Sequence, residues 1–268
     1  MPELPEVQTV LNSLKKRIKG QQIKDINILW NNIIINDIDD FKSKLIGQHF
    51  NNFKRRGKYL LFELDDITLV SHLRMEGKYY ILNFNEPITK HMHIIFKLDD
   101  FNLVYHDTRK FGRMEIINKS TNYDDFKNLG LEPFDNKLNT KYLKDKLINN
   151  HRPIKQTLLD QKIIAGIGNI YADEILFISN INPTKISNKL NDQQLQLIID
   201  HSKKILSSAI KAGGTTIRSY NVDKIDGLFQ LSLNVHMQKD KPCKICNTII
   251  KKIKVNKRGT YYCEKCQK

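Results

Sequence analysis

Apolar and polar positions follow different rhythms along this chain. From residue 5 to about 18, Val7, Val10, Leu11 and Leu14 fall on one face at helical spacing, which predicts an amphipathic helix. The period then shortens. Tyr59-Leu60-Leu61-Phe62-Glu63-Leu64, Ile67-Thr68-Leu69-Val70-Ser71-His72-Leu73, His93-Ile94-Ile95-Phe96-Lys97-Leu98 and Asn102-Leu103-Val104-Tyr105 are β-rich runs separated by the turn pairs Asp65-Asp66 and Asp99-Asp100. They predict antiparallel meanders in a sandwich or barrel, with the first helix packed on it. Helical spacing returns between about 139 and 220, over 142–148, 154–159, 170–178 and 192–211, the last followed by Gly213-Gly214. Near the C-terminus, Ile249 to Val255 tends to alternate apolar with basic residues, and Thr260-Tyr261-Tyr262-Cys263 reads as a second short strand. The two form a hairpin whose tip presents Lys257 and Arg258.

The chain has 268 residues, of which 40% are hydrophobic and 9% aromatic, enough to build cores and to exclude a disordered chain. No window approaches the roughly 18–20 apolar residues of a membrane span. The N-terminus is acidic and lacks an apolar signal core, so a soluble, cytoplasmic protein is expected. A net charge of +15 and a pI near 9.5 favour an anionic partner. The abundance of Ile, Lys and Asn dilutes that inference, because some lysines are ordinary surface.

Cysteine usage is more decisive. All four cysteines, Cys243, Cys246, Cys263 and Cys266, lie at the C-terminal end as two C-x2-C pairs. That spacing suits two knuckles converging on one Zn²⁺. Two disulfides or a redox pair fit a reducing compartment less well. With sulfur in every position no site remains for a catalytic water, so one structural Zn²⁺ per chain is expected.

Further motifs stand in collinear order: Pro2-Glu3-Leu4-Pro5-Glu6-Val7, Arg56-Gly57-Lys58-Tyr59-Leu60, His72-Leu73-Arg74-Met75, Asp107-Thr108-Arg109-Lys110-Phe111-Gly112, Gly166-Ile167-Gly168-Asn169-Ile170-Tyr171, Gly213-Gly214-Thr215-Thr216 and Arg258-Gly259-Thr260-Tyr261. By these, over nearly its whole length, the sequence resembles the formamidopyrimidine-DNA glycosylase family. The resemblance implies an α+β, multidomain fold: an N-terminal β-sandwich with flanking helices (1–133), a helix-two-turn-helix domain with a lesion-recognition loop at 215–229 (134–234), and a C-terminal zinc ribbon (235–268). It also implies a base-excision repair enzyme, a DNA glycosylase and abasic-site lyase. Its expected partner is duplex DNA containing an oxidised purine or an abasic site, held in a basic cleft between the first domain and the other two. A nucleoid-associated monomer is expected.

The terminal block has a chemical rationale. Once Met1 is removed, Pro2 offers a secondary amine, and an α-amino group with a pKa near ~8 is partly neutral at cellular pH, unlike a lysine. It can attack the sugar C1′ of a damaged nucleotide and displace the base. Opening of the sugar gives an iminium cation, an electron sink that acidifies the C2′ protons, so elimination of the 3′ and then the 5′ phosphate follows. Without the resemblance, Pro5 in a first helical turn and acids complementing the helix dipole would explain the same residues.

The resemblance further assigns Glu3 as general acid/base, Lys58 to β-elimination and Arg258 to δ-elimination; the role of Glu6 stays open. Met75, Arg109 and Phe111 match an intercalating set that fills the gap left by the extruded base. His91, Lys155 and Asn169 match DNA-backbone contacts, Asn169 at a helix start suited to phosphate. Departures are visible. Asn150-His151-Arg152 stands where many relatives carry a basic residue just before the helix–turn–helix pair, so the phosphate contact there shifts to Arg152 or is lost. Val235-His236-Met237-Gln238 replaces Val-Tyr-Gly-Arg, and Asn256-Lys257 replaces the commoner Gly before Arg258. A sister enzyme for oxidised pyrimidines and a noncatalytic damage sensor are the competing readings. Leu4 argues against the first, and retention of Pro2, Glu3, Lys58 and Arg258 against the second.

Overall fold

Leu4, Val7, Leu11, Leu14 and Ile18 recur on one side of the first segment and are all buried, and this stripe is what makes helix α1 (Leu4–Ile18) form against a sheet. Truncating Leu14 to Ala would cost about 2–5 kcal/mol. The computed structural model describes residues 1–124, 126–215 and 227–268. Their contacts divide into two units, Met1–Tyr123 with Thr215–Gly227, and Asp124–Gly214 with Leu228–Lys268.

In the first unit, strands β1 (Asp25–Ile28), β2 (Asn52–Arg56), β3 (Tyr59–Glu63), β4 (Ile67–His72), β5 (Lys78–Leu82), β6 (Met92–Lys97), β7 (Asn102–His106) and β8 (Arg113–Asn118) build two antiparallel sheets. Their orders are β1-β6-β7-β5 and β2-β3-β4-β8. Helix α2 (Ile38–Leu45) precedes β2, its N-terminus capped by the Asp37 carboxylate, which accepts the Asp39 and Asp40 amides. The expected β-sandwich with flanking helices is therefore present. Its core joins the α1 stripe to Phe50, Phe53, Phe62, Tyr79 and Tyr105. Edge-to-face contacts run from Phe62 to Tyr79 (6.1 Å) and from Tyr79 to Tyr105 (5.3 Å), carrying the core out to the loops after β4 and β7.

The second unit holds helices α3 (Thr140–Leu147), α4 (Ile154–Leu158), α5 (Asn169–Ile178) and α6 (Asp192–Lys211), close to the helices read from the sequence. Asn139 and Asn191 cap α3 and α6 through side-chain oxygens that accept the Tyr142 and Gln194 amides. Gly213 and Gly214, at φ +76° and +80°, let the chain leave α6 with the Gly214 amide returning to the Ala209 carbonyl. Strands β9 (Lys251–Val255) and β10 (Arg258–Tyr262) form the ribbon hairpin. It belongs to the same unit: the Gln267 side-chain amide donates to the Ile181 carbonyl and the Lys268 amide to that of Asn180.

Candidate active site

The sequence places Pro, Glu and Glu at the mouth of α1, and the first turn fixes them. Pro5 sits where its missing N–H costs nothing. Pro2, Glu3 and Glu6 are all buried. The Glu3 amide donates to Glu6 Oε2 at 2.9 Å, and the other Glu6 oxygen accepts the Thr215 amide at 2.9 Å and its hydroxyl at 3.1 Å.

Lys58 reaches the same place from the β2–β3 turn, where Gly57 supplies a φ of +57°. It too is buried. The Met1 ammonium of the unprocessed chain interacts with Glu3, Glu6, Lys58 and Glu76. Burial, with help from Lys58, holds its pKa below the ordinary value against the pull of the three acids. The structure therefore brings the start of the chain, Glu3, Glu6 and Lys58 into one buried, charged cluster. Such a cluster can keep an amine neutral and pass protons beside it.

Two loops of this unit carry the expected wedge residues. Met75 is half-buried beyond Arg74, which takes a φ of +52°, and the Arg74 amide donates to His72 Nδ1 at 2.9 Å. Arg109 and Phe111 are exposed, the guanidinium lying 4.8 Å from the Phe111 ring centroid. Asp107 organises this second loop. Its buried carboxylate accepts the amides of Arg109 (3.0 Å), Phe111 (2.8 Å) and Gly112 (2.8 Å). Lys110 stands between them at φ +57°, its ammonium 3.6 Å over the Trp30 ring. The Thr108 hydroxyl donates to Glu76 Oε2, tying one loop to the other.

Both loops also close on the end of Tyr105. A Cβ at Gly77 would stand 2.1 Å from the Tyr105 hydroxyl and one at Gly112 only 1.8 Å, so glycine is required by close approach. His91 is half-buried, its ring 5.7 Å from that of His106 and 6.5 Å from His93.

In the second unit Arg258 is exposed at the hairpin tip, as expected. The turn forms without glycine, through Asn256 (φ +45°) and Lys257 (φ +63°), so the replacement leaves a tight two-residue hairpin intact. Arg152 is ion-paired with Asp160 at 3.0 Å, and its Nε donates to Asn150 Oδ1 at 3.2 Å. Asn169 donates to the Gly259 carbonyl at 3.1 Å.

Lys155 corrects the expectation of a direct backbone contact. It is fully buried, its ammonium 2.7 Å from Asp173 Oδ1 and donating to the Gly259 carbonyl and the Thr260 hydroxyl at 2.9 Å each. A fully enclosed ammonium committed to the hairpin backbone cannot reach a phosphate. Sequence reading missed its partner Asp173, and also Glu174, which accepts the amides of Asn234, Val235 and His236. The available signal was two adjacent acids inside the apolar run of α5.

The four cysteines converge: their sulfurs all lie within 4.8 Å of one another. Separations of 3.4 Å for Cys246–Cys263 and Cys246–Cys266 and 3.9 Å for Cys243–Cys266 bracket the roughly 3.8 Å expected for four thiolates at about 2.3 Å from one tetrahedral zinc. The residues fit one structural Zn²⁺. The 216–226 part of the expected lesion-recognition loop lies outside the described residues. No helix among the described residues is long and apolar enough to cross a membrane.

A strand-rich unit opening on a buried Pro-Glu start, with a helical unit bearing a four-cysteine hairpin, defines a class of multidomain DNA-repair fold. Family models agree along the chain: the formamidopyrimidine-DNA glycosylase N-terminal domain over residues 1–114, its H2TH domain over 129–221, and the zinc finger found in FPG and IleRS over 240–268. The formamidopyrimidine-DNA glycosylase of Oceanobacillus iheyensis is 45% identical, the match covering 100% of this chain and 98% of that protein. A Lactococcus lactis FPG mutant in complex with a Fapy-dG-containing DNA superposes with a TM-score of 0.95 at 40% identity, with 100% of both chains covered. The wild-type Lactococcus lactis protein in complex with an oxidized-pyrimidine-containing DNA gives 0.93, again at 40% identity and full coverage of both chains. The chain belongs to the formamidopyrimidine-DNA glycosylase family.

Proposed function

We propose that this protein excises oxidised purines from duplex DNA and then cleaves the abasic strand by successive β- and δ-elimination. The observation that carries the reading is the convergence of the chain's amine, Glu3, Glu6 and Lys58 in one buried cluster. Removal of Met1 would move the amine one residue inward, to Pro2. As a secondary amine, Pro2 attacks C1′ while Glu3 delivers a proton to the opening sugar oxygen. The resulting iminium acidifies C2′. Lys58 assists loss of the 3′ phosphate, and Arg258 assists loss of the 5′ phosphate.

Met75, Arg109 and Phe111 fill the space vacated by the extruded nucleotide. His91, Asn169 and Arg152 bind the backbone, and Lys155 serves by holding the hairpin. The functional division follows 1–133, 134–234 and 235–268, and zinc acts only to fold the last of these. The site of action is nucleoid DNA.

Borohydride reduction in the presence of an abasic duplex should trap a covalent complex at Pro2. A correctly processed protein that yields no adduct would defeat the mechanism. The neighbour bound to an oxidized-pyrimidine DNA favours a second reading, a wider repertoire of lesions. Duplexes bearing either lesion class, compared by single-turnover excision, decide between a purine-restricted enzyme and a broad one.

A further inference from the structure

Behind the exposed Arg258, the hold of Lys155 on the hairpin is the first link in a longer chain of buried polar contacts. Lys155, from α4, donates to the Gly259 carbonyl and the Thr260 hydroxyl, and that hydroxyl donates to the carbonyl of Arg258 at 3.0 Å. Its counter-charge is Asp173, from α5, with the ammonium 2.7 Å from Oδ1. The second carboxylate oxygen faces His236: Nδ1 lies 2.8 Å from Oδ2, which also accepts the Tyr261 amide at 3.4 Å. The His236 ring meets the Tyr261 ring edge-on at 5.1 Å. Asp173 and Lys155 are fully enclosed and His236 nearly so. In so dry a site each partner fixes the next, since a charged group stripped of one contact must shift to find another.

We propose that His236 is a positioning residue for the second strand-cleaving step, acting through Asp173 and Lys155 on the backbone that aims Arg258. This rests on the function proposed above, in which Arg258 assists δ-elimination. Without the imidazole N–H, Asp173 Oδ2 keeps only the long contact to Tyr261. The carboxylate then rotates toward its remaining donors and draws the Lys155 ammonium with it. The Gly259 and Thr260 contacts slacken, and Arg258 loses its fixed carriage. Pro2, Glu3 and Lys58 lie in the other unit and are untouched, so base removal and β-elimination should be spared.

The test compares His236→Phe, which keeps a ring against Tyr261 but no donor, with His236→Asn, whose amide nitrogen can stand where Nδ1 stands. Each is followed on an abasic duplex by quantifying the β-product, ending in an unsaturated aldehyde, and the δ-product, ending in 3′ phosphate. Bound zinc is measured alongside. His236→Phe should slow δ-elimination by about tenfold while β-elimination stays within about twofold, the loss of one buried hydrogen bond to a charged group. His236→Asn should recover most of the δ-product.

An unchanged ratio of products in the Phe variant overturns the proposal. So does a parallel fall in both steps with loss of zinc that Asn reproduces, for then the residue only maintains the ribbon. A wild-type protein that stops after β-elimination would instead refute the function on which the proposal rests. A wild type that completes both steps beside an unaffected Phe variant refutes the positioning role alone.

Discussion

Glu6 Oε1 accepts the backbone amide of Thr215 at 2.9 Å, across 209 positions of sequence, while Oε2 of the same carboxylate accepts the amide of Glu3. One acid thereby fixes the turn that bears Pro2 and the point where the chain enters the segment after α6. Glu6→Gln can satisfy only one of these two donors well, because its nitrogen would face an N–H. The variant should lose about 1–3 kcal/mol of stability to urea and yield less borohydride-trapped complex. Unaltered trapping would mean that the carboxylate does not hold the reactive turn.

Acid should act on the protein through His72. Burial, reinforced by Arg74 and Lys58, lowers its imidazole from 6.5 to about 3. The neutral ring is also the form whose Nδ1 can accept the Arg74 amide. Since the folded value lies below the unfolded one, the unfolded chain takes up the proton first. The contribution is complete above the unfolded value and is lost as the pH falls toward the folded one. His72→Asn, which keeps an acceptor but cannot be protonated, should flatten the decline in melting temperature between about pH 7 and pH 4, sparing on the order of a few kcal/mol. Parallel curves for the two proteins would refute this assignment.

Gly112 should be intolerant of any side chain. A methyl there would stand 1.8 Å from the Tyr105 hydroxyl, and the ring is locked in the core against Tyr79. Gly112→Ala should therefore cost about 2–4 kcal/mol and weaken binding of a lesion duplex. Adding Tyr105→Phe removes the nearest atom and should return part of the loss, so the double mutant will be non-additive. Additive losses in a denaturation cycle would place the strain elsewhere.

Metal removal should unfold the ribbon as a unit. Cys243 and Cys263 are buried together with Phe177, Val235 and Ile250, so the ligands are themselves part of the small apolar cluster. Chelation, or Cys263→Ser, should abolish protection of the β9–β10 amides from hydrogen exchange and reduce duplex affinity, while the first unit keeps its protection. Retained protection without zinc would remove the structural role.

Much of this was legible beforehand because the responsible forces are local. The α1 stripe, the apolar strand runs and the four helices of the second unit obey simple periods, and each appears close to its expected place. β1, β2, β5, β8 and helix α2 do not stand out in the sequence pattern. Asn52–Arg56 and Arg113–Asn118 interleave charge with apolar residues on half-exposed strands, and their identity comes from pairing with β3 and β4. The cluster around the chain start was legible only through resemblance, since nothing in a period brings residue 58 to residue 3. The burial of Lys155 was hidden for the same reason. Its counter-charge Asp173 and its acceptors at Gly259 and Thr260 are set by tertiary contact between α4, α5 and the ribbon.

Asp107 has a consequence for how this protein can change. Its carboxylate grips the backbone amides of residues 109, 111 and 112, so the course of the loop past 109 and 111 owes little to the side chains at those two positions. The side chains at 109 and 111 can thus be exchanged while the backbone beneath them keeps its shape, whereas Gly112 beside them cannot.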